Sequence, residues 1–287
     1  MPELPEVEIV RRSLFQKINR AKIINVIINN KNLRYKIPID FSKKLKGQKI
    51  LGINRRSKYL IFYLEKNIIL LHLGMSGKLM LQRDRDKKLF KTSFYYDINT
   101  KKKHDHVHFK LSNGLVLIYN DVRRFGFFQL YDLLKLNEIP FIKKLGPEPF
   151  DKNFNKKYFK NFVINKKKNI KSLLMDQSFV SGLGNIYVNE ALFLSKVKPS
   201  RRCSNLNKKE IENLILNIQK ILKLSISKGG SSIKDFKNTL GKTGSYQQFF
   251  YVYGKNGKKC SRISCNGKIK KIEISKRSTF YCSQCQS

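Results

Sequence analysis

Val7, Val10, Leu14 and Ile18 recur at helical spacing, with Arg11, Arg12, Gln16 and Lys17 between them. This predicts one amphipathic helix directly after Pro2. From residue 22 to about 132 the texture changes to short β-branched and aromatic runs at 23–28, 50–55, 59–64, 68–73, 107–111 and 115–119. Turn signals such as Lys66-Asn67 and Ser112-Asn113-Gly114 separate them, and the stretch reads as an antiparallel β-sandwich. Leu145-Gly146-Pro147-Glu148-Pro149-Phe150 breaks the pattern and reads as a hinge. Helical texture follows. Asn207, with Glu210 three residues on, resembles a capping box that opens a long helix stopping at Gly229-Gly230. Before it, residues 176–185 form a glycine-punctuated connection between helices, whose exposed amides and following helix N-terminus suit a phosphate.

At 287 residues the chain has room for two domains and a small third. Lys and Arg total 60 against 20 for Asp and Glu, a formal charge of +40, which points to a polyanionic partner. Lys, Asn and Ile crowd everywhere, as an A·T-rich coding bias produces, so part of that charge is discounted. No apolar run reaches bilayer length and the N-terminus is acidic, so the expectation is a soluble cytoplasmic protein with no membrane partner.

Cysteine usage sharpens the picture. Cys203 stands alone, while Cys260-x4-Cys265 and Cys282-x2-Cys285 form two close pairs sixteen residues apart. In a reducing compartment these four thiols predict one structural zinc, Zn2+, bound tetrahedrally and holding a terminal hairpin that presents Lys276, Arg277 and Ser278. His106 and His108 of His104-Asp105-His106-Val107-His108 would share a strand face, but no further ligand lies nearby. A hydrogen-bonded structural cluster is the expectation there.

The candidate chemistry lies at Met1-Pro2-Glu3-Leu4-Pro5-Glu6. Met1 precedes a small residue and is expected to be removed, leaving Pro2 with a secondary amine whose reference pKa is only about 8. Attack on a carbonyl-type carbon would give an iminium, whose charge cannot leave nitrogen and acts as an electron sink. Glu3 is the nearest side chain able to shuttle protons, and the helix N-terminus favours the neutral amine. Basic or apolar residues also gather at strand ends and loops, where binding residues concentrate. They are Arg55-Arg56-Ser57-Lys58, His72-Leu73-Gly74-Met75-Ser76-Gly77 and Asn120-Asp121-Val122-Arg123-Arg124-Phe125-Gly126.

These motifs, with Lys58-Tyr59-Leu60, Leu145-Gly146-Pro147-Glu148-Pro149, Gly184-Asn185-Ile186-Tyr187 and the four-cysteine tail, resemble bacterial formamidopyrimidine-DNA glycosylases. Those are the oxidised-purine repair enzymes of the Fpg/Nei family, and the resemblance covers almost the whole chain. It implies an α+β multidomain fold. An N-terminal helix and catalytic β-sandwich would occupy 1–132, a linker 133–150, a helix-two-turn-helix DNA-binding domain 151–245 and a zinc-finger β-hairpin 246–287. It also implies a bifunctional DNA glycosylase and abasic-site lyase, a monomer associated with the nucleoid when bound. Such an enzyme excises 8-oxoguanine and formamidopyrimidines from damaged double-stranded DNA and cleaves by β,δ-elimination through a Schiff base on Pro2.

By the same resemblance Pro2 is the nucleophile on C1′ and Glu3 its acid/base partner. Lys58, Asn185 and Arg277 would grip phosphates around the extruded nucleotide. Met75, Arg123 and Phe125 would fill the gap it leaves, with His72 and Arg124 also on DNA. Residues 230–236, including Lys234, would form a mobile loop over the flipped base. Arg123 offers donors only, which match the O2 and N3 acceptors of cytosine and not the amino group of adenine. Two departures from the family pattern stand out: four residues rather than two separate Cys260 from Cys265, and Val122 replaces a proline.

Two alternatives remain open on sequence. An endonuclease VIII-like glycosylase would prefer oxidised pyrimidines, against which Leu4 and the Met75, Arg123 and Phe125 set argue. A non-catalytic nucleic-acid-binding protein is the other, because the helix-two-turn-helix element also resembles one in a ribosomal protein and the basic charge suits RNA.

Overall fold

A computed structural model describes residues 2–91, 100–231 and 246–287. The chain packs as two compact units, Met1–Lys143 with Lys228–Ser245, and Lys144–Ser227 with Tyr246–Ser287. The break falls inside the stretch read from sequence as a linker.

In the first unit the predicted helix is α1 (Leu4–Ile18), with Val7, Val10, Leu14 and Ile18 fully buried. It is followed by β1 (Ile23–Ile28), α2 (Phe41–Leu45), β2 (Ile50–Arg56), β3 (Tyr59–Leu64), β4 (Asn67–His72), β5 (Lys78–Arg83), β6 (Leu89–Lys91), β7 (Asp105–Leu111), β8 (Leu115–Asn120), β9 (Phe127–Asp132) and a short α3 (Pro140–Lys143). The strands form two antiparallel sheets, ordered β1-β7-β8-β5-β6 and β2-β3-β4-β9. Phe62, Ile69, Leu79, Phe109, Leu117 and Phe128 share one apolar core with α1, so the expected sandwich is present. A second cluster of Ile61, Ile68, Leu70 and Ile139 draws Phe141 of α3 onto β3 and β4. With apolar partners on both faces, those two strands read as continuous hydrophobic runs rather than alternating ones. Strands β5, β6 and β9 were not among the predicted runs; β5 is Lys-Leu-Met-Leu-Gln-Arg, three buried residues between polar ends.

The second unit holds α4 (Lys156–Val163), α5 (Ile170–Leu174), α6 (Asn185–Leu194), α7 (Lys208–Ser227) and the hairpin β10 (Ile269–Ile274) and β11 (Arg277–Cys282). Local capping sets the helix starts: Asn155 and Asn169 accept from backbone N–H groups three residues on. The capping box read from sequence is present in both directions, Glu210 N–H to Asn207 and Asn207 N–H to Glu210, each 2.9 Å. The residues read as a hinge are bonded into this unit, Gly146 N–H to the Gln177 carbonyl and Ser181 N–H to that of Pro147, each 2.9 Å. A Cβ on Gly146 would lie 2.4 Å from the Ser178 carbonyl oxygen, so only glycine fits that approach. Among the described residues no helix is long and apolar enough to cross a membrane.

Candidate active site

The start of α1 carries the terminal chemistry. Glu3 is its N-cap and only 2% exposed, and it forms a capping box with Glu6, whose carboxylate accepts the Glu3 N–H at 2.9 Å. Pro2, itself buried, therefore stands at the head of a fixed helix turn. Glu6 also accepts the backbone N–H and hydroxyl of Ser231 at 2.9 Å each. This anchors the start of the segment assigned by resemblance to a mobile loop. Gly230, at φ +82°, lies against Glu6 and Ile9, where a side chain would be both strained and crowded. Lys234 lies outside the described residues.

Behind this turn Glu8 gathers Arg11 at 2.8 Å, Arg12 at 2.8 Å and Arg55 at 3.1 Å. Burial raises its pKa, but the hydrogen bonds from Arg11 and Arg12 and the charges of Arg11 and Arg55 outweigh that, and the net shift is downward. This fastens α1 to the end of β2. The next residue but one is Lys58, 8% exposed, on a turn in which Ser57 takes a left-handed φ of 56°.

Pairing of Tyr59 with His72 across β3 and β4 sets the region of Lys58 beside His72. Burial, then the charges of Lys58 and Arg34, pull the His72 pKa down to about 4. Its Nδ1 accepts the Gly74 N–H at 3.0 Å, and the ring stacks on Phe127 at 14° and 5.6 Å. At neutral pH His72 is thus an uncharged ring with its proton on Nε2, a donor rather than a cation.

Met75 and Phe125 are 42% and 41% exposed at the same end of the sandwich, on segments that touch one another. The Arg123 guanidinium lies over the Phe125 ring at 4.5 Å. Arg124, at φ 53°, lines the same open cleft together with Arg34, Arg123 and Phe125. The histidine cluster is hydrogen-bonded in part: His106 Nε2 lies 2.7 Å from the Asp121 carbonyl and Asn120 donates to Asp105, whereas the buried Nε2 of His108 has no hydrogen-bond partner among the described residues.

In the second unit the side-chain amide of Asn185, first residue of α6, donates to the Ser278 carbonyl at 2.9 Å. The same carbonyl accepts from Lys171 Nζ at 3.1 Å, and Lys171 also reaches Thr279 Oγ1 at 2.6 Å. Asn189 accepts the Phe280 N–H at 2.8 Å, and Glu190 accepts three successive amides, Tyr251, Val252 and Tyr253, at 2.7 to 3.0 Å. Asn185 and Arg277, far apart in sequence, are brought together by these bonds. Sequence reading missed Lys171, Asn189 and Glu190. The available signal was an Asn-Glu pair inside the apolar run of α6.

The four sulfurs of Cys260, Cys265, Cys282 and Cys285 lie within 4.8 Å of one another. Cys265 to Cys282 is 3.6 Å and Cys260 to Cys285 is 3.9 Å, close to the roughly 3.8 Å edge of a tetrahedron with 2.3 Å zinc–sulfur bonds. The four thiolates hold one structural zinc. Among the described residues no other group of His, Cys, Asp or Glu is gathered closely enough for a metal. The longer knuckle puts its extra length to use: Arg262 donates to the Phe193 and Leu194 carbonyls at 2.7 and 3.1 Å, closing the C-terminus of α6. Cys203 lies apart and buried, its thiol pushed up to about 11 by burial.

A β-sandwich behind an N-terminal helix, a helical two-turn element and a zinc hairpin, in that order, are the three parts of a DNA glycosylase architecture. Residues 1–128 match the formamidopyrimidine-DNA glycosylase N-terminal domain, 145–237 its H2TH domain, and 257–287 a zinc finger found in FPG and IleRS. Formamidopyrimidine-DNA glycosylases of Bartonella tribocorum and of a Wolbachia from Brugia malayi are 45% and 40% identical, with 100% of each chain covered. A Lactococcus lactis FPG mutant bound to Fapy-dG DNA is 38% identical with a TM-score of 0.87 and 100% of both chains covered. The L. lactis Fpg complex with abasic-site DNA is 38% identical with a TM-score of 0.86 and 99% of both covered. The chain belongs to the formamidopyrimidine-DNA glycosylase family.

Proposed function

We propose that this protein excises oxidised purines, 8-oxoguanine and formamidopyrimidines, from duplex DNA and then cleaves the abasic site by β,δ-elimination. The observation that carries this reading is the helix start: Pro2 buried beside the fixed, buried carboxylate of Glu3, at the head of a chain that matches the family over its whole length.

Once Met1 is removed, the Pro2 amine attacks C1′ and the damaged base leaves with the bonding pair. The Pro2 nitrogen passes its N–H proton to Glu3, its lone pair then opens the C1′–O4′ bond to give the iminium, Glu3 returns the proton to O4′, and the departed base takes a proton from water. The iminium acidifies the C2′ proton. Its loss expels the 3′ phosphate, and repetition on the other side expels the 5′ phosphate. Lys58, Asn185 and Arg277 are assigned to the phosphates flanking the extruded nucleotide, with His72 as a neutral donor and Arg124 on the backbone. Met75, Arg123 and Phe125 are assigned to the vacated stack, because a base inside a duplex must be extruded and its place filled. Lys234 is assigned to the segment covering the flipped base. The zinc holds the β10–β11 hairpin in shape.

The working division is a catalytic domain 1–132, a linker 133–150, an H2TH domain 151–245 and a zinc finger 246–287. The protein acts as a monomer in the cytoplasm, on nucleoid DNA and without a membrane partner. Incubation with a duplex carrying 8-oxoguanine opposite cytosine, read on a denaturing gel, should give a gap flanked by two terminal phosphates. An uncut lesion strand would sink the reading.

A further inference from the structure

The two segments that carry Met75 and Arg123 to Phe125 are distant in sequence, yet one buried carboxylate joins them. Asp121, directly after β8, is 0% exposed. Its Oδ1 accepts from the Ser76 hydroxyl and from the Arg123 N–H at 3.2 Å; its Oδ2 accepts from the Tyr119 hydroxyl at 3.0 Å and the Gly126 N–H at 2.9 Å. Ser76 Oγ in turn accepts the Arg123 N–H at 3.0 Å. The backbone of Asp121 is held as well, by His106 Nε2 at 2.7 Å. The segments also touch directly, since a Cβ on Gly74 would lie 2.4 Å from the Gly126 nitrogen.

We propose that Asp121, acting through Ser76, is the positioning residue that locks Met75, Arg123 and Phe125 into a single rigid wedge. The proposal rests on the reading of those three side chains as the filler of the vacated stack. At Val122, where a proline would fix φ of the turn covalently, the Arg123 and Gly126 N–H groups that follow are held by the Asp121 carboxylate.

The carboxylate supplies four acceptor positions and all four are used. Asparagine has the same shape but turns one oxygen into an NH2 group. Whichever way that amide sits, it faces a backbone N–H, of Arg123 or of Gly126, and a donor meets a donor. A wedge loosened by about 1 Å should lose roughly 10- to 100-fold in the step it serves.

The test is single-turnover excision by the wild type, Asp121→Asn, Ser76→Ala and Met75→Ala on two DNAs. One carries 8-oxoguanine opposite cytosine in a fully paired duplex. The other carries the same lesion opposite a tetrahydrofuran site, where the stack is already open and little remains for a wedge to do. Asp121→Asn should fall about 10- to 100-fold on the paired duplex and stay within about 3-fold of wild type on the opened one, because the unstacking cost is least there. Ser76→Ala leaves the carboxylate in place, so it decides the matter if Asp121→Asn does not fold. It should lose about 5-fold on the paired duplex, the worth of one hydrogen bond. Equal losses on both DNAs would mean that Asp121 merely supports the sandwich, which overturns the proposal. A selective loss in Met75→Ala without one in Asp121→Asn or Ser76→Ala would overturn it while leaving the wedge reading intact. No selective loss in Met75→Ala would remove the wedge reading itself.

Discussion

Asn185 and Lys171 converge on one acceptor, the Ser278 carbonyl, at 2.9 and 3.1 Å. Arg277 immediately precedes Ser278, so the two donors hold the strand at the residue next to it. Lys171 is 1% exposed, and its hydrogen bonds to Ser278 and Thr279 offset the cost of burying its ammonium. Lys171→Met keeps the bulk and removes both bonds. Stability should fall by about 1.5–3 kcal/mol, and the affinity for abasic-site DNA should fall with it. Thermal unfolding and a binding titration measure the two, and an unchanged affinity would show that the hairpin needs no such anchor.

Pro2 should be trapped on DNA by borohydride, since reduction of an iminium leaves a stable amine. Retaining Met1 or adding an upstream tag converts the amine to an amide. Trapping should then vanish, as followed by a shifted band and by intact mass. Undiminished trapping in the blocked protein would place the nucleophile elsewhere.

Cys282→Ser should lose both the zinc and DNA binding while the sandwich of the first unit stays folded, because its core shares no residue with the zinc-side cluster. Elemental analysis, binding and far-UV circular dichroism distinguish these effects. Retention of stoichiometric zinc by Cys282→Ser would contradict the four-sulfur assignment.

If Arg123 reads the base left unpaired, cytosine supplies two acceptors and adenine presents an amino group. A mismatched bidentate contact is worth about 1–3 kcal/mol, so 8-oxoguanine should be cut roughly 10 to 100 times faster opposite cytosine than opposite adenine. Arg123→Ala should flatten the ratio. Equal wild-type rates on the two duplexes would show that Arg123 does not discriminate.

His72 gives a pH signature. Its folded pKa of about 4 lies below the ordinary 6.5, so as pH falls through that window the unfolded chain takes up a proton that the folded chain refuses. Its contribution is fully present above pH 6.5 and is lost as pH falls toward 4, at up to about 1.4 kcal/mol per pH unit. His72→Asn should remove that share of the slope in urea titrations at several pH values. A wild-type slope unaffected by the substitution would mean that His72 titrates normally.

Much of this was legible because it is local. The period of α1, the Asn207 and Glu210 box and the two cysteine pairs are each written within a few residues of where they act. The β5 strand was hidden because its apolar run is only three residues long, between polar ends, and β9 because it follows directly on the paired-arginine turn. Lys171 and Asp121 were opaque for another reason. The Lys171 partner Thr279 is 108 positions away, and Ser76 is 45 positions from Asp121. A buried charge announces itself only when the fold shows what it is paired with.

The tip of the β10–β11 hairpin is a two-residue turn, Ile274 pairing with Arg277 across Ser275 and Lys276, which sit at φ 51° and 57°. Such turns favour Asn-Gly, and side-chain-bearing residues held there cost on the order of 1–2 kcal/mol each. The Ser275 hydroxyl lies 2.8 Å from that of Ser172, so the strained tip is moored to α5. An Asn-Gly replacement would relax the backbone and release the mooring. A thermostabilising screen would therefore select a tougher protein at this position whose hairpin tip has come loose from its helix.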